Sequence, residues 1–163
     1  ESLLSWVDTR ALANAGWFHP ALPVSPVYHG GAIHLQNPGA KRVAAISPAK
    51  AALDLWMPFT FHQDTPVSPC DMLETIWCAV NRVTKNGVQL GPEQRIPVYE
   101  ALKAVTVHAA WQYGEEKEKG SLAVGKQANL VRLCANPLAV QPEAPRQVPV
   151  VSPRKQSDGR HRG

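Results

Sequence analysis

Met57-Pro58-Phe59-Thr60-Phe61-His62-Gln63-Asp64-Thr65-Pro66-Val67 is the stretch on which the fold turns. Met57 to His62 reads as a β-strand. Phe59 and Phe61 fall on one face, and Thr60, His62 and, two residues on, Asp64 fall on the other. Pro66 and Pro69 stiffen the loop that follows. In α/β barrels the loops after the strands form the active-site face, so a polar residue at a strand's carboxyl end is a catalytic candidate. If the strand belongs to such a barrel, the alternation would set Phe59 and Phe61 beneath the helices and Thr60, His62 and Asp64 toward the barrel interior or its carboxyl-end mouth. His62 and Asp64 then share a face and are spaced to converge on a metal or a water, where a carboxylate can hold a divalent cation and take a proton from water. The same H-x-D spacing also suits an Asp that caps the next loop and a His bonded to a backbone carbonyl.

The elements around this strand follow from caps and periodicity. Ser47-Pro48 reads as an N-cap with proline at the first helical position, opening a helix to about Leu55. After the loop, Asp71 with Glu74 has the form of a capping box. Met72, Ile76, Ala79, Val80 and Val83 form one apolar stripe, and Asn86-Gly87 ends the segment in a turn. A third helix is expected from about Pro97 to Tyr113, on the stripe Val98, Ala101, Leu102, Val105 and Ala109, with Gly114 as its C-cap. Glu115 to Gly120 reads as a charged surface linker. Beyond it come a strand at Ser121–Val124, a turn at Gly125–Gln127, a strand at Ala128–Leu133 and one more at Val148–Val151. Residues 1–46 carry helical texture at Leu3–Val7 and Arg10–Ala13 and a short strand at Val24–Tyr28. Pro20, Pro23 and Pro26 interrupt regular structure there, and Gly30-Gly31 and Asn37-Pro38-Gly39 are turn chemistry.

Composition narrows the class. The chain has 163 residues, 44% of them hydrophobic, enough for one core of ordinary size. No apolar run is long enough for a membrane span, and no charged segment leads into an apolar one at the start, as a secretory signal would. The first residue, Glu1, is not a methionine, and the reading expects sequence upstream of it. The net charge of +4 comes from the tail, where Arg146, Arg154, Lys155, Arg160 and Arg162 stand against Asp158. Such a tail is read as a solvated chain end rather than a nucleic-acid contact. Cys70, Cys78 and Cys134 include no C-x-x-C pair; they are read as packing residues in a reducing, cytoplasmic setting. His108, in mid-helix, reads as a half-buried structural histidine. No H-x-H, H-E-x-x-H or G-x-S-x-G is present. Trp6, Trp17 and Trp56 suit core or pocket equally.

From about Ile46 to Leu138 the chain resembles the carboxyl end of the YtcJ-like amidohydrolases (amidohydrolase family 3). The resemblance is carried by residues 57–67, by Asp71-Met72-Leu73-Glu74, by Leu90-Gly91-Pro92-Glu93-Gln94-Arg95, by Glu100 to Thr106 and by Gly120 to Lys126. Further upstream, Val27-Tyr28-His29-Gly30 with His34 is similar to an aromatic-Gly-x-x-His loop. The resemblance implies a metal-dependent (β/α)8 TIM barrel with a small composite β-sandwich domain. It implies Asp64 as metal ligand and general base after the eighth strand, a divalent metal, zinc by expectation, and hydrolysis of a non-peptide C–N bond in a small amide-type substrate. It implies that His62, His29 and His34 stand behind the metal ligands or against the substrate.

The family's H-x-H after the first barrel strand, its mid-barrel lysine or acidic ligand and its later metal histidines have no counterpart in the chain. A barrel takes about 250 residues, about 31 per βα unit, so residues 1–114 hold between about three and four units. Residues 115–163 then supply strands of the small domain and the basic tail. The chain is therefore expected to be a carboxyl-terminal fragment, inactive alone, that needs the missing amino-terminal barrel half or a homo-oligomeric partner. Asn129 and Cys134 stand where the family has Asp, and Pro97 where it has a capping Ser or Thr. These departures suit the alternative, a degenerate barrel remnant acting only as a binding or interaction module.

Overall fold

The structure, a computed structural model, describes the backbone of residues 19–23 and, with side chains, residues 46–63, 65–66 and 68–155. The strand expected around Phe59 is present as a four-residue element, Phe59–His62. It pairs in parallel with His19–Pro23, His19 opposite Phe59, Leu22 opposite Phe61 and Pro23 opposite His62. We call these strands β1 (His19–Pro23) and β2 (Phe59–His62). The prolines at 20 and 23 had been expected to interrupt regular structure; a strand forms there all the same. Its register slips between His19 and Leu22, the interval holding Pro20, which has no N–H to give to the ladder. The expected strand at Val24–Tyr28 and the helical segments at Leu3–Val7 and Arg10–Ala13 lie outside the described residues.

A parallel pair needs a crossover, and the connection from β1 to β2 contains helix α1, Ala49–Asp54. Pro48 stands at its N-cap and no side chain caps it. Ser47 does not act as the expected cap; it sits at φ 50°, and its carbonyl accepts from Ala49 N–H at 2.8 Å. Helix α2, Met72–Asn81, starts as expected: Asp71 accepts from the backbone N–H of Leu73 at 2.9 Å and of Glu74 at 3.1 Å. The reciprocal half of the capping box is replaced, because Asp71 N–H donates to the Pro69 carbonyl at 2.9 Å. Ile76, Ala79 and Val80 are buried, whereas Met72, the first residue of the expected stripe, is exposed.

The expected third helix is two. Helix α3 is Val98–Ala104 and helix α4 is Val107–Gln112, with Thr106 between them at φ −126°, ψ −87°. The Thr106 hydroxyl donates to the Leu102 carbonyl at 2.7 Å, and Gly120 packs into the break. A Cβ at Gly120 would lie 2.6 Å from the Ala110 Cβ and 3.0 Å from the Thr106 carbonyl oxygen, and its φ is +84°. Glycine is required there on both counts. Gly114, at φ +70°, ends α4 as expected.

The core sits between β2 and these helices. Phe59 is 1% exposed and packs with Ala52, Met57, Ile76, Ala79, Val80, Ile96, Ala101 and Ala104. Alanines at 52, 101 and 104 let the helices approach the aromatic ring closely. Phe61 packs against the same cluster, its ring centroid 5.5 Å from that of Phe59. The expected packing of both rings beneath the helices therefore holds.

The segment from Glu115 is no free linker. Glu115 N–H donates to the Ala110 carbonyl at 2.9 Å, and Lys119 pairs with Glu115 at 2.8 Å. Lys126 Nζ donates to the Glu116 carbonyl, to Ser121 Oγ at 2.8 Å and to the Lys119 carbonyl at 3.2 Å. Ser121–Val124 does not form the expected strand. Strand β3, Leu130–Leu133, pairs instead with β4, Val150–Arg154, in an antiparallel ribbon whose residues are mostly exposed. Between the two strands, Asn81 Nδ2 donates to the Pro142 carbonyl at 2.7 Å, and the Arg146 guanidinium lies 3.8 Å from the Trp77 ring centroid. These contacts hold the tail on α2. Trp56 belongs to neither core nor pocket; it is 93% exposed at φ 56°. Among the described residues no helix is long and apolar enough to cross a membrane.

Arg82, the C-cap of α2 in the left-handed region at φ 55°, is 2% exposed. Its Nε donates to the Leu90 carbonyl at 2.8 Å, NH1 to Ser47 at 3.0 Å and NH2 to Ile46 at 2.7 Å. Burial pulls its pKa down to about 10, so the guanidinium stays charged at neutral pH. We expect Arg82→Met to lower stability by about 3 kcal/mol, because it strips donors from three carbonyls, two of them at the start of α1. Urea unfolding followed by circular dichroism measures this; a loss below about 1 kcal/mol would contradict the assignment.

Candidate functional site at the carboxyl end of strand β2

Strand β2 ends at His62, which is exposed, while Gln63 turns back into the protein and is buried. The Gln63 Nε2 donates to the Asp71 carbonyl. Thr65 and Pro66 are exposed, and the Thr65 hydroxyl donates to the Ser68 carbonyl at 3.3 Å. Among the described residues, Gln63 ties the strand end to the start of α2 and Thr65 is bonded to Ser68, with His62 at the rim. Thr60 differs from the expectation of an open polar face. It is buried, and its hydroxyl donates to Gln112 Oε1 at 2.6 Å. The polar face of β2 is closed at Thr60 by α4 and exposed at His62.

Of the residues expected at the site, His62 is described; Asp64, His29 and His34 lie outside the described residues. Among the described residues no three of His, Cys, Asp and Glu come together as a metal-holding group. They do not by themselves fit a bound metal, and no chemical step is derived through one. The cysteines divide: Cys78 is buried, and burial pushes its thiol up to about 12, so it packs and does not react. Cys70 and Cys134 are exposed, against the expectation of three packing residues.

Two contacts missed in the sequence support the strand from behind. His108 Nδ1 lies 3.1 Å from the Phe59 carbonyl oxygen, and its ring meets the Phe59 ring edge-on at 6.1 Å. The expected reading of His108 as structural holds, and the partner is now identified. Gln63 is the second. It shares the Phe59–Phe61 face by alternation, which is the sequence signal that foretells its burial.

A parallel strand pair whose carboxyl end opens into a loop and a capped helix is the arrangement of α/β enzymes. Residues 7–152 match the model of the amidohydrolase family, and the chain belongs to that family. Among curated relatives, it is 33% identical over 91 residues to the N-substituted formamide deformylase of Arthrobacter pascens, covering 56% of this chain and 17% of that protein. It is 35% identical over 82 residues to YtcJ of Bacillus subtilis (strain 168), covering 48% of this chain and 16% of that one. The chain therefore matches about a sixth of each relative. In fold it is similar to the solved structure of an uncharacterized metal-dependent hydrolase from Pyrococcus horikoshii OT3. The TM-score is 0.71 and the identity 23%, over 83% of this chain and 28% of that one. The resemblance to YtcJ-like amidohydrolases is thus established, and the α/β character with it.

The His108 support makes a pH prediction. Burial, foremost, holds the His108 imidazole below its ordinary value of 6.5, and Lys103 acts in the same direction. The native state then binds this proton less readily than the unfolded chain. Its contribution is complete above the ordinary value and is lost as pH falls toward the lowered one. We expect the melting temperature of His108→Gln, whose amide can still donate to the Phe59 carbonyl, to fall less than wild type between about pH 7 and 5. An equal fall would contradict this role.

Proposed function

We propose that the chain supplies the carboxyl-terminal part of a metal-dependent amidohydrolase that cleaves a non-peptide C–N bond in a small amide-type substrate. In this reading residues 1–114 provide the last βα units of a TIM barrel, and residues 115–163 provide strands of a small β-sandwich domain. The observation that carries it is the parallel β1–β2 pair, whose carboxyl end opens at His62 into the loop before α2. The family match over residues 7–152 supports the same reading, as does the deformylase relative, whose name describes release of a formyl group from nitrogen.

Asp64 follows His62 and Gln63 at that strand end and is proposed as the carboxylate that accepts the proton of the attacking water. A divalent cation, zinc by preference, would supply charge stabilisation to the reaction when bound. Catalytic zinc sites usually draw on three protein side chains, more than Asp64 with His62, and the remaining donors would come from other barrel units. His29 and His34 are proposed to face substrate. The exposed β3–β4 ribbon favours a second reading, an inactive module that acts by binding alone.

The 163-residue chain supplemented with Zn²⁺ is expected to give no turnover of N-formyl or N-acyl amines above the blank. Turnover that disappears in Asp64→Asn would overturn the expected inactivity while supporting the role of Asp64. In the longer enzyme, Asp64→Asn is expected to lower kcat by about 10²–10⁴ with little change in melting temperature. Unchanged kcat with a lowered melting temperature would make Asp64 a loop cap and remove it from the chemistry.

A further inference from the structure

We propose that Gln63 is a positioning residue: its side-chain amide ties the carboxyl end of β2 to the first residue of the α2 cap and so fixes the path of the loop between them. That loop carries Asp64, so the proposal rests on the reading of Asp64 as the base and deepens it.

The Asp71 peptide is the loop's far anchor. Its N–H donates to the Pro69 carbonyl at 2.9 Å, and its carbonyl accepts from Thr75 N–H at 3.1 Å and from the Thr75 hydroxyl at 2.9 Å. Its carboxylate takes the N–H groups of Leu73 and Glu74. Each of these bonds is local to the cap and helix. The bond from Gln63 Nε2 to the Asp71 carbonyl joins that anchor to the strand, across eight residues of sequence. The carbonyl can only accept, which assigns the nitrogen of the amide to it.

Gln63 is 7% exposed, and its Oε1 is buried with no hydrogen-bond partner. An apolar side chain of the same length would fill this place without leaving a buried acceptor unsatisfied. The feature an amide adds, and a methionine does not, is the bond to Asp71. Packing alone therefore gives no reason for glutamine here. Within the loop, Ser68 is also buried and its carbonyl accepts from Thr65. The Gln63 bond thus joins the ends of a short stretch in which Thr65 and Ser68 are already bonded. Side chains that do chemistry need such support, because small displacements of a reacting group are costly in rate.

The test is amide hydrogen exchange over residues 65–73 in the 163-residue chain, corrected for intrinsic rates, in wild type, Gln63→Glu and Gln63→Met. A glutamic acid at this place donates to the Asp71 carbonyl only while protonated, and burial keeps its proton on to higher pH. Protection of the loop in Gln63→Glu is expected to match wild type near pH 4.5 and to fall about 10-fold by pH 8. Wild type, which differs from Gln63→Glu at this one position, is expected to stay level between the two pH values. Gln63→Met, an apolar substitute of similar length, is expected to lose about 10-fold protection in the loop at both pH values, with α3 unchanged. Equal protection in Gln63→Glu at the two pH values, or wild-type loop protection in Gln63→Met, would overturn the proposal. Asp64→Asn is expected to leave loop protection intact. Failure of the base assignment would then appear in turnover, and failure of the clamp in exchange.

Discussion

A buried guanidinium organises this structure. Arg82 sits at the end of α2, in a left-handed conformation, and donates to carbonyls at Leu90, Ser47 and Ile46. Those acceptors belong to the start of α1 and to the loop leading toward α3. The Leu90 segment is also tied back to the end of α2 by its own backbone, Leu90 N–H donating to the Arg82 carbonyl at 2.8 Å beside a Val83–Gln89 bridge, and the guanidinium extends that junction to the residues before α1. A planar cation with donors fixed in a fork can serve several carbonyls at once, which a lysine cannot do with the same geometry. Burying the charge is costly, and its lowered pKa records that cost. The three carbonyls offset it by accepting charge-assisted hydrogen bonds from the guanidinium.

The frame held by Arg82 leaves β2 one task at each end. At its start, Phe59 fills the space between alanines on α1 and α3, and its carbonyl takes His108 of α4. Thr60 is bonded to Gln112 on the same helix. At its finish, the strand emerges at His62, and the polar atoms that follow are tied back through Gln63 to Asp71. Rigidity behind and openness in front is the pattern expected of a scaffold that presents reactive side chains on a loop. The break between α3 and α4 belongs to the same frame, since Gly120 reaches the Thr106 carbonyl only because the helix is interrupted there.

Much of this was legible in the sequence, and the failures have physical causes. The period of two around Phe59 and Phe61 identified the strand and its buried face, and Asp71 announced the helix start. The resemblance to the amidohydrolase family was legible in the same residues and holds over most of the chain. Ser47 was misread because Ser-Pro is common cap chemistry, while here its carbonyl is engaged by Arg82 and its backbone lies in the left-handed region. Arg82 itself went unnoticed as a core residue. Its spacing from Thr75 and Cys78 puts it on their buried face, but arginine is seldom so buried. The α3–α4 break was hidden because the apolar stripe runs through it, and a close approach by Gly120 from another part of the chain leaves no local mark. The strand expected at Ser121–Val124 does not form, and β3 pairs with β4 about twenty residues on, a contact that periodicity does not encode. For the site, His62 and Asp64 were proposed from spacing and resemblance, whereas the supporting amide of Gln63 becomes visible once the Asp71 carbonyl is in place.

In the proposed reading this chain carries one wall of a metal-dependent hydrolase site, and the remaining donors come from other barrel units. It matches 17% of the deformylase and 16% of YtcJ, and among the described residues no donor cluster forms. A zinc titration of the purified 163-residue chain against a chromophoric chelator measures the claim directly. One wall of a site predicts that the chelator keeps the metal, with no equimolar complex at micromolar protein. An equimolar zinc complex that outcompetes the chelator, and is lost in Asp64→Asn, would show that the chain assembles a complete site and would contradict the account.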